Sequence, residues 1–251
     1  MKGLPLVTEQ AHEVDELADS RIGLGMQDIA QQRSYTKGIG KRIWRRMLRA
    51  TRLEHLHDLA RHGALAHTGW LRSAREQKSV DRDGSPIPWL TYPAIALLET
   101  RIKPEFEVFE YGSGGSTLWW AKRVNRIVSC EHDESWGNQV RPRLPGNAEL
   151  VLVSLEQGAA YSQAAVKTGK SFDILIIDGR DRVRCAQTWS DVLKDTGVII
   201  WDNTDRPRYQ QGIRELRDAG FKQVPLVGLA PISWALSETS ILYRPNNCLG
   251  L

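Results

Sequence analysis

The stretch that most constrains the fold runs from Val108 to Leu118, with the sequence Val-Phe-Glu-Tyr-Gly-Ser-Gly-Gly-Ser-Thr-Leu. It predicts a short buried strand, a glycine turn and the start of a helix capped by Ser116 or Thr117. A helix N-terminus leaves backbone N–H groups without partners, and glycines without a Cβ allow a ligand to lie against the main chain. The stretch therefore predicts a site for a nucleotide-like cofactor.

The spacing of this turn distinguishes between kinds of nucleotide site. The dinucleotide fingerprint requires a third glycine three positions after the second, where this chain has Thr117. A P-loop is excluded because no Gly-Lys-Ser or Gly-Lys-Thr follows. The remaining pattern, Glu-x-Gly-x-Gly, resembles the first motif of class I S-adenosylmethionine-dependent methyltransferases.

Composition and cysteine usage indicate the class of protein. Of the 251 residues, 41% are hydrophobic and 25% are charged, which allows one large domain with a modest extension. Cys130, Cys185 and Cys248 lack metal-type spacing and predict reduced thiols in a cytosolic protein. No apolar run is fit for a signal peptide or a membrane span. We therefore expect a cytoplasmic protein.

Helical spacing from Glu9 to about Ser79 predicts an N-terminal helical extension over residues 1–85, followed by a cofactor-binding domain over residues 86–251. The extension carries a basic run without acidic residues: Arg33, Lys37, Lys41, Arg42, Arg45, Arg46, Arg49 and Arg52. The run is typical of a solvated helix face that covers packed apolar residues. It also suits an anionic partner such as a phosphate backbone, an acidic peptide or a membrane surface.

Strand-like and helical runs alternate in the second part of the chain. The predicted strands are Glu107–Tyr111, Ile127–Glu131, Leu150–Val153, Phe172–Asp178, Val198–Asp202, Phe221–Val227 and Thr239–Tyr243. The predicted helices are Tyr92–Ile102, Thr117–Val124, Glu134–Arg141, Tyr161–Lys167, Arg184–Leu193 and Arg208–Ala219. The alternation predicts an α/β fold with a parallel sheet, and the last two strands should be antiparallel because no helix separates them.

Polar residues follow several predicted strands, and ligands of parallel α/β sheets bind beyond the carboxyl ends of the strands. These residues are Glu110 and Gly112, Glu131, Asp178, and the pair Asp202 and Asn203. Glu131 is placed to accept hydrogen bonds from both ribose hydroxyls, with His132 and Trp136 beside the adenine. A surface carboxylate that merely closes a strand is the alternative for Glu131.

From about Ile87 onward the chain resembles class I methyltransferases of the FkbM-like bacterial type. The resemblance rests on Glu-Tyr-Gly-Ser-Gly-Gly-Ser-Thr, Glu131-His132-Asp133, Ile177-Asp178-Gly179 and Trp201-Asp202-Asn203. The first of these is also similar to the cofactor turn of glucuronoxylan O-methyltransferases. The resemblance implies a Rossmann-like seven-stranded sheet with an antiparallel last strand. The cofactor-binding residues it implies are Glu110, Gly112, Ser113, Gly114, Ser116, Thr117, Glu131, His132, Trp136 and Asp178.

A second resemblance concerns catalysis. In catechol-type O-methyltransferases, residues at the positions of Asp178, Asp202 and Asn203 bind a divalent metal, which implies a catalytic Mg²⁺ site here. The catalytic lysine of that family has no counterpart in this chain, where Gly179 and Arg180 follow Asp178. The alternative is that Asp178 acts as the base or orients the acceptor, while Asp202 and Asn203 form a turn that supports it.

Four further residues are candidates for binding the acceptor. Trp89 ends a passage with two prolines that forms either a lip over the site or a domain junction anchored by Trp89, and Tyr92 begins the helix that follows. Arg180 and Arg182 suit an acceptor carboxylate or phosphate. The alternative for these arginines is surface pairing with acidic neighbours.

These residues together predict an S-adenosylmethionine-dependent methyltransferase that acts on a hydroxyl of a saccharide or secondary metabolite. N-methylation of a peptide or small amine is the alternative within the same enzyme class. A fold of this type also serves non-catalytic binding scaffolds and nicotinamide oxidoreductases. Polar residues at several strand ends argue against a scaffold, and Thr117 argues against an oxidoreductase.

Overall fold

The computed structural model describes residues 39–251, with side chains from residue 43 onward. The part of the predicted helical extension that precedes residue 39 lies outside these residues. The chain divides into a unit that ends at Asp58 and a unit that spans Leu59–Leu251. The predicted boundary between residues 85 and 86 stays a prediction.

Helices account for most of the described chain before the sheet. Helix α1 spans Ile39–Ala50, and α2 spans Glu54–Arg61. The remaining helices are α3 Ala64–His67, α4 Trp70–Glu76, α5 Tyr92–Glu99, α6 Gly115–Ala121, α7 Glu134–Val140, α8 Ala164–Lys167, α9 Arg182–Gln187, α10 Trp189–Val192 and α11 Gln210–Asp218. Short 3₁₀ segments are Arg141–Arg143, Leu155–Ala160 and Pro207–Tyr209.

Seven strands form one sheet in the order β3-β2-β1-β4-β5-β7-β6. The strands are β1 Glu107–Tyr111, β2 Arg126–Glu131, β3 Ala148–Leu152, β4 Phe172–Ile177, β5 Leu193–Asp202, β6 Lys222–Gly228 and β7 Ser237–Tyr243. Strands β1 to β5 pair in parallel, whereas β7 is antiparallel to both β5 and β6. The predicted α/β fold with a seven-stranded sheet and an antiparallel last strand is confirmed.

One predicted helix begins late and another is interrupted. The helix predicted over Tyr161–Lys167 begins only at Ala164, after a 3₁₀ segment. The helix predicted over Arg184–Leu193 is interrupted at Thr188, whose hydroxyl donates to the carbonyl of Cys185 at 2.8 Å. Such local side-chain bonds to the backbone compete with continued helix, and apolar spacing does not register them.

Apolar side chains cover both faces of the sheet. In β4, Ile174 and Ile176 belong to one buried cluster, and Leu175 and Ile177 belong to the other. Successive side chains of a strand point to opposite faces, so a continuous apolar run indicates a strand that is buried on both sides. With both faces covered, the carboxyl ends of β1, β2, β4 and β5 form the edge of the sheet where a ligand can bind.

Candidate active site

The turn after β1 is closed by a buried network around Glu110. The Glu110 carboxylate accepts hydrogen bonds from Thr117 Oγ1 at 2.6 Å and from Ser129 Oγ at 2.7 Å. Thr117 Oγ1 also accepts from the backbone N–H of Gly114 at 3.1 Å. Burial raises the pKa of Glu110, and the hydroxyl groups that bind it oppose that rise. Glu110 thus stabilises the turn through hydrogen bonds on its buried side.

Two glycines of this turn have backbone angles that favour glycine. Gly112 has φ 107° and Gly114 has φ 141°. A Cβ on Gly114 would lie 3.1 Å from Cζ2 of Trp136, whose indole N–H donates to the carbonyl of Ser113 at 3.0 Å. Trp136 therefore packs against the turn and stabilises it by a hydrogen bond.

The carboxylate of Glu131 is fixed at the end of β2 by several donors. Its Oε1 accepts from the backbone N–H groups of His132 at 2.8 Å and Asp133 at 3.0 Å. Its Oε2 accepts from Ser113 Oγ at 3.0 Å. Glu131 is 5% exposed, so this orientation is held by the surrounding protein. The fixed carboxylate leaves acceptor capacity toward the space beside the turn.

Two cavities open along the carboxyl edge of the sheet. The first, the glycine-turn cavity, has a volume of about 250 Å³. It is lined by Glu110, Gly112, Ser113, Ser116, Glu131, His132, Asp178, Gly179, Arg180 and Arg182. The second, the β5 cavity, has a volume of about 420 Å³. It is lined by Trp89, Asp178, Arg182, Asp202, Asn203, Arg206, Ala230, Ser233 and Ser237. Asp178 and Arg182 line both cavities, so the two spaces meet at this pair.

Arg182 connects the ends of β4 and β5. Its Nη2 donates to Asp178 Oδ1 at 2.9 Å and to the Asp178 carbonyl at 2.8 Å. Its Nη1 donates to the Asp202 carbonyl and to Asn203 Oδ1 at 3.4 Å, and it lies 3.8 Å from Asp202 Oδ2. The Arg182 side chain is only 9% exposed. One buried guanidinium therefore binds all three residues that the catechol-type resemblance assigns to a metal.

This arrangement does not support the predicted Mg²⁺ site. The oxygens of Asp178 and Asn203 that would coordinate a metal accept hydrogen bonds from Arg182. Within residues 39–251, no three His, Cys, Asp or Glu side chains are grouped so as to hold a metal ion. The predicted Mg²⁺ assignment to Asp178, Asp202 and Asn203 is therefore not supported, because the guanidinium of Arg182 supplies positive charge at this position.

The pKa of Asp178 is raised well above its ordinary value. Burial is the largest cause, and the charge of Asp202 is the next, whereas Arg182 lowers the pKa. Burial also raises the pKa of Asp202, which Thr239 Oγ1 opposes by donating to Asp202 Oδ1 at 2.6 Å. A single guanidinium between two carboxylates does not compensate for the burial of both. A carboxyl of this kind is able to exchange a proton with a bound ligand.

The remaining sequence-predicted residues occupy different places. Trp89 lines the β5 cavity and is 52% exposed, while Arg180 lines the glycine-turn cavity. Tyr92 lines a separate cavity, which includes Trp119. Among the residues predicted for cofactor binding, Thr117, Gly114 and Trp136 are absent from the lining of the glycine-turn cavity and support it instead.

Several residues that shape the site are absent from the sequence-based set. Ser129 lies beside Glu110 in the pairing of β1 with β2, and Thr239 lies beside Asp202 in the pairing of β5 with β7. Thr239 Oγ1 also accepts from the backbone N–H of Thr91 at 3.0 Å, which connects the passage containing Trp89 to the end of β5. Only the strand register identifies these neighbours.

Residues 109–204 match a family described as a methyltransferase domain. The match begins in β1 and ends just after β5, and it includes the whole glycine-turn cavity. No curated protein matches the chain. No helix within residues 39–251 is long and apolar enough to cross a membrane.

Several solved structures are similar to this chain. Precorrin 8w decarboxylase of Methanobacterium thermoautotrophicum is 17% identical, with 67% of this chain and 97% of that chain covered and a TM-score of 0.48. Precorrin-6y C5,15-methyltransferase of Geobacter metallireducens is 15% identical, with coverage of 61% and 87% and a TM-score of 0.49. Fibrillarin of Aeropyrum pernix in complex with S-adenosylmethionine is 16% identical, with coverage of 60% and 73% and a TM-score of 0.45.

The sheet order, the glycine turn and the matched domain define a class I methyltransferase architecture. Residues 109–204 therefore form a methyltransferase domain.

Proposed function

We propose that this enzyme transfers a methyl group from S-adenosylmethionine to a hydroxyl group of a saccharide or secondary metabolite. The observation that carries the proposal is the position of Asp178, which lines both cavities. A carboxylate at that junction can reach the hydroxyl proton of an acceptor in one cavity while the cofactor in the other cavity presents its methyl group. General-base assistance of this kind requires hydrogen-bond reach first and a suitable pKa second.

The glycine-turn cavity is the proposed cofactor site. Glu131 binds the ribose hydroxyls, and the glycine turn leaves room for the amino-acid part of the cofactor beside Gly112 and Ser113. The sulfonium is positively charged, and the carboxylates of Glu110 and Asp178 line the same cavity. Opposite charges in a partly buried site attract more strongly than they do in water.

The β5 cavity is the proposed acceptor site. Its lining combines the exposed ring of Trp89 with the hydroxyls of Ser233 and Ser237 and the amide of Asn203. Trp234, which follows Ser233, is 80% exposed and packs edge-on against Trp70 at 4.9 Å between ring centroids. Aromatic faces pack against the C–H groups of sugar and aromatic rings, and polar groups select hydroxyls. This combination supports an acceptor rich in hydroxyl groups.

The transfer step requires that the acceptor oxygen be aligned with the methyl carbon and that the acceptor hydroxyl lose its proton. The acceptor oxygen forms a bond to the methyl carbon while the carbon–sulfur bond breaks, and the sulfur retains the electron pair as S-adenosylhomocysteine. Ionised Asp178 accepts the hydroxyl proton, which then passes to solvent. Arg182 holds Asp178 in place through contacts with both its side chain and its carbonyl. Positioning two reactants in this way accounts for a large part of such a rate enhancement.

The FkbM-like subtype, the similarity to glucuronoxylan O-methyltransferases and the cytoplasmic location stay predictions. N-methylation of a peptide or amine is the competing reaction. An amine that binds in its neutral form loses its proton only after the methyl group has been transferred, so it depends less on Asp178 as a base. The product therefore distinguishes the two reactions, as a methyl ether or a methylated amine.

The test is methyl transfer from labelled S-adenosylmethionine to a panel of saccharides, phenols and amines, with titration of S-adenosylhomocysteine in parallel. We expect Asp178→Asn to keep cofactor binding and to lower kcat by about 10²-fold or more. Asp195→Asn, at an exposed position in β5, is the matched control and should retain full activity. Unchanged turnover in Asp178→Asn, or methylated amines as the products, would contradict the proposal.

A further inference from the structure

Helix α1 has an exposed apolar side. Ile43 is 58% exposed, Trp44 is 51% exposed and Met47 is 58% exposed. At 100° per residue, these three side chains lie within one half of the helix circumference. Large apolar residues exposed side by side on one helix indicate an interaction surface more often than isolated ones do.

The opposite half of the same helix is basic. Arg45, Arg46 and Arg49 fall on that half. Of these three arginines, only Arg49 pairs with an acidic side chain within the described residues, namely Glu54, and the two groups are 3.0 Å apart. The sequence between Arg33 and Arg52 contains eight basic residues and no acidic ones. The surface of α1 therefore combines positive charge with apolar area.

We propose that α1 binds the surface of an anionic lipid bilayer, with Ile43, Trp44 and Met47 entering the interface and Arg45 and Arg46 contacting lipid headgroups. A helix with large apolar side chains on one face and arginines on the other is the type that lies in the plane of a membrane surface. Tryptophan is particularly favourable at that depth because its ring is apolar and its N–H is polar.

The apolar side favours a bilayer over a nucleic acid. A nucleic-acid backbone would engage the arginines and leave Ile43, Trp44 and Met47 in water. A bilayer uses both halves of the helix at once. Leu53 and Leu56 follow α1 in the sequence and are 47% and 61% exposed, so they provide further exposed apolar side chains.

The test is co-sedimentation of the full-length protein with phosphatidylcholine vesicles that contain or lack phosphatidylglycerol. We expect binding to the anionic vesicles that weakens with added salt. Arg45→Gln/Arg46→Gln and Trp44→Ser/Met47→Ser should each weaken that binding at least about tenfold. Arg141→Gln/Arg143→Gln removes two exposed cations elsewhere in the chain and should leave binding unchanged.

Titration of every variant with S-adenosylhomocysteine shows that the cofactor site is intact, independently of the acceptor and of the proposed reaction. The proposal is overturned by equal binding to both kinds of vesicle or by no binding to either. It is equally overturned if the protein binds duplex DNA in a way that depends on Arg45 and Arg46 but not on Trp44 and Met47.

Discussion

The Nη2 atom of Arg182 lies 2.9 Å from Oδ1 of Asp178, at the junction of the glycine-turn cavity and the β5 cavity. The same guanidinium binds the ends of β4 and β5, because it donates to the carbonyls of Asp178, Gly179 and Asp202. The position of the proposed base therefore depends on a side chain that is itself fixed at several points.

Replacing Arg182 should destabilise the fold. Arg182→Met leaves the partly exposed carboxylate of Asp178 and the buried carboxylate of Asp202 without their shared cation, and we expect a loss of about 3 kcal/mol in the free energy of unfolding. Arg182→Lys keeps the charge but not the planar set of donors, so its loss should be smaller. Urea unfolding measures both values. Arg184→Met is the control, since exposed Arg184 pairs with Asp181 alone among residues 39–251, and the substitution should cost no more than about 1 kcal/mol.

Methyl transfer should be independent of divalent metal. The guanidinium of Arg182 donates to Asp178 Oδ1 and Asn203 Oδ1, so a cation that coordinates those oxygens would have to displace it. We expect the same initial rate with a chelator, without additions and with added Mg²⁺. A rate that falls with the chelator and returns with Mg²⁺ would show that Arg182 moves away when ligands bind.

The rate should fall as the pH is lowered, and a neighbouring charge should set the pH at which it falls. Burial and the charge of Asp202 raise the pKa of Asp178, and a base works only when ionised, so kcat declines as pH drops through that raised pKa. Asp202→Asn removes the negative neighbour, lowers the pKa of Asp178 and should move the acidic limb to lower pH. The measurement is kcat against pH for both proteins. An unmoved limb in Asp202→Asn would assign the titration to another group, and Asp195→Asn controls for the loss of one carboxylate.

Cofactor affinity should depend on the charge of Glu131. Glu131→Gln keeps the size of the side chain and one oxygen for the backbone donors of His132 and Asp133, but it replaces the second oxygen with an amide. Loss of charge-assisted hydrogen bonds to the ribose should weaken S-adenosylhomocysteine binding at least about tenfold, or roughly 1.4 kcal/mol. Calorimetric titration measures this, with exposed Glu134→Gln as the control. Equal affinity in the two variants would remove Glu131 from the ribose site.

The sequence predicts the sheet well because its signals are local. Strand β1 has the predicted bounds, Glu107–Tyr111, and the continuous apolar run of β4 indicates a strand covered on both faces. The predicted carboxylates lie at the edge of the sheet for the same reason, since the carboxyl ends of parallel strands share one edge. Local pattern therefore suffices to bring Glu110, Glu131 and Asp178 to one cavity.

The role of Arg182 is not visible in the sequence. Arg184 pairs at the surface with an acidic neighbour, since its side chain lies 2.8 Å from the carboxylate of Asp181. Arg182 instead turns inward, because α9 begins at this residue and Asp181 before it has φ 49°. The pairing of Thr239 with Asp202 likewise depends on the register of two strands that are distant in sequence. Such contacts follow from tertiary geometry and leave no periodic signal.

The glycine turn should tolerate no side chain at Gly114. Its φ of 141° is a conformation that residues with a Cβ rarely adopt, and the added carbon would lie 3.1 Å from the Trp136 ring. We expect Gly114→Ala to lose about 1–3 kcal/mol in the free energy of unfolding and to weaken S-adenosylhomocysteine binding as the turn shifts. Gly146→Ala is the matched control, because a Cβ there meets no atom within 4 Å, and a change of at most about 1 kcal/mol is expected. If the two variants unfold at the same denaturant concentration, the turn adapts to a side chain, and the cofactor affinity then shows whether its backbone geometry matters for binding.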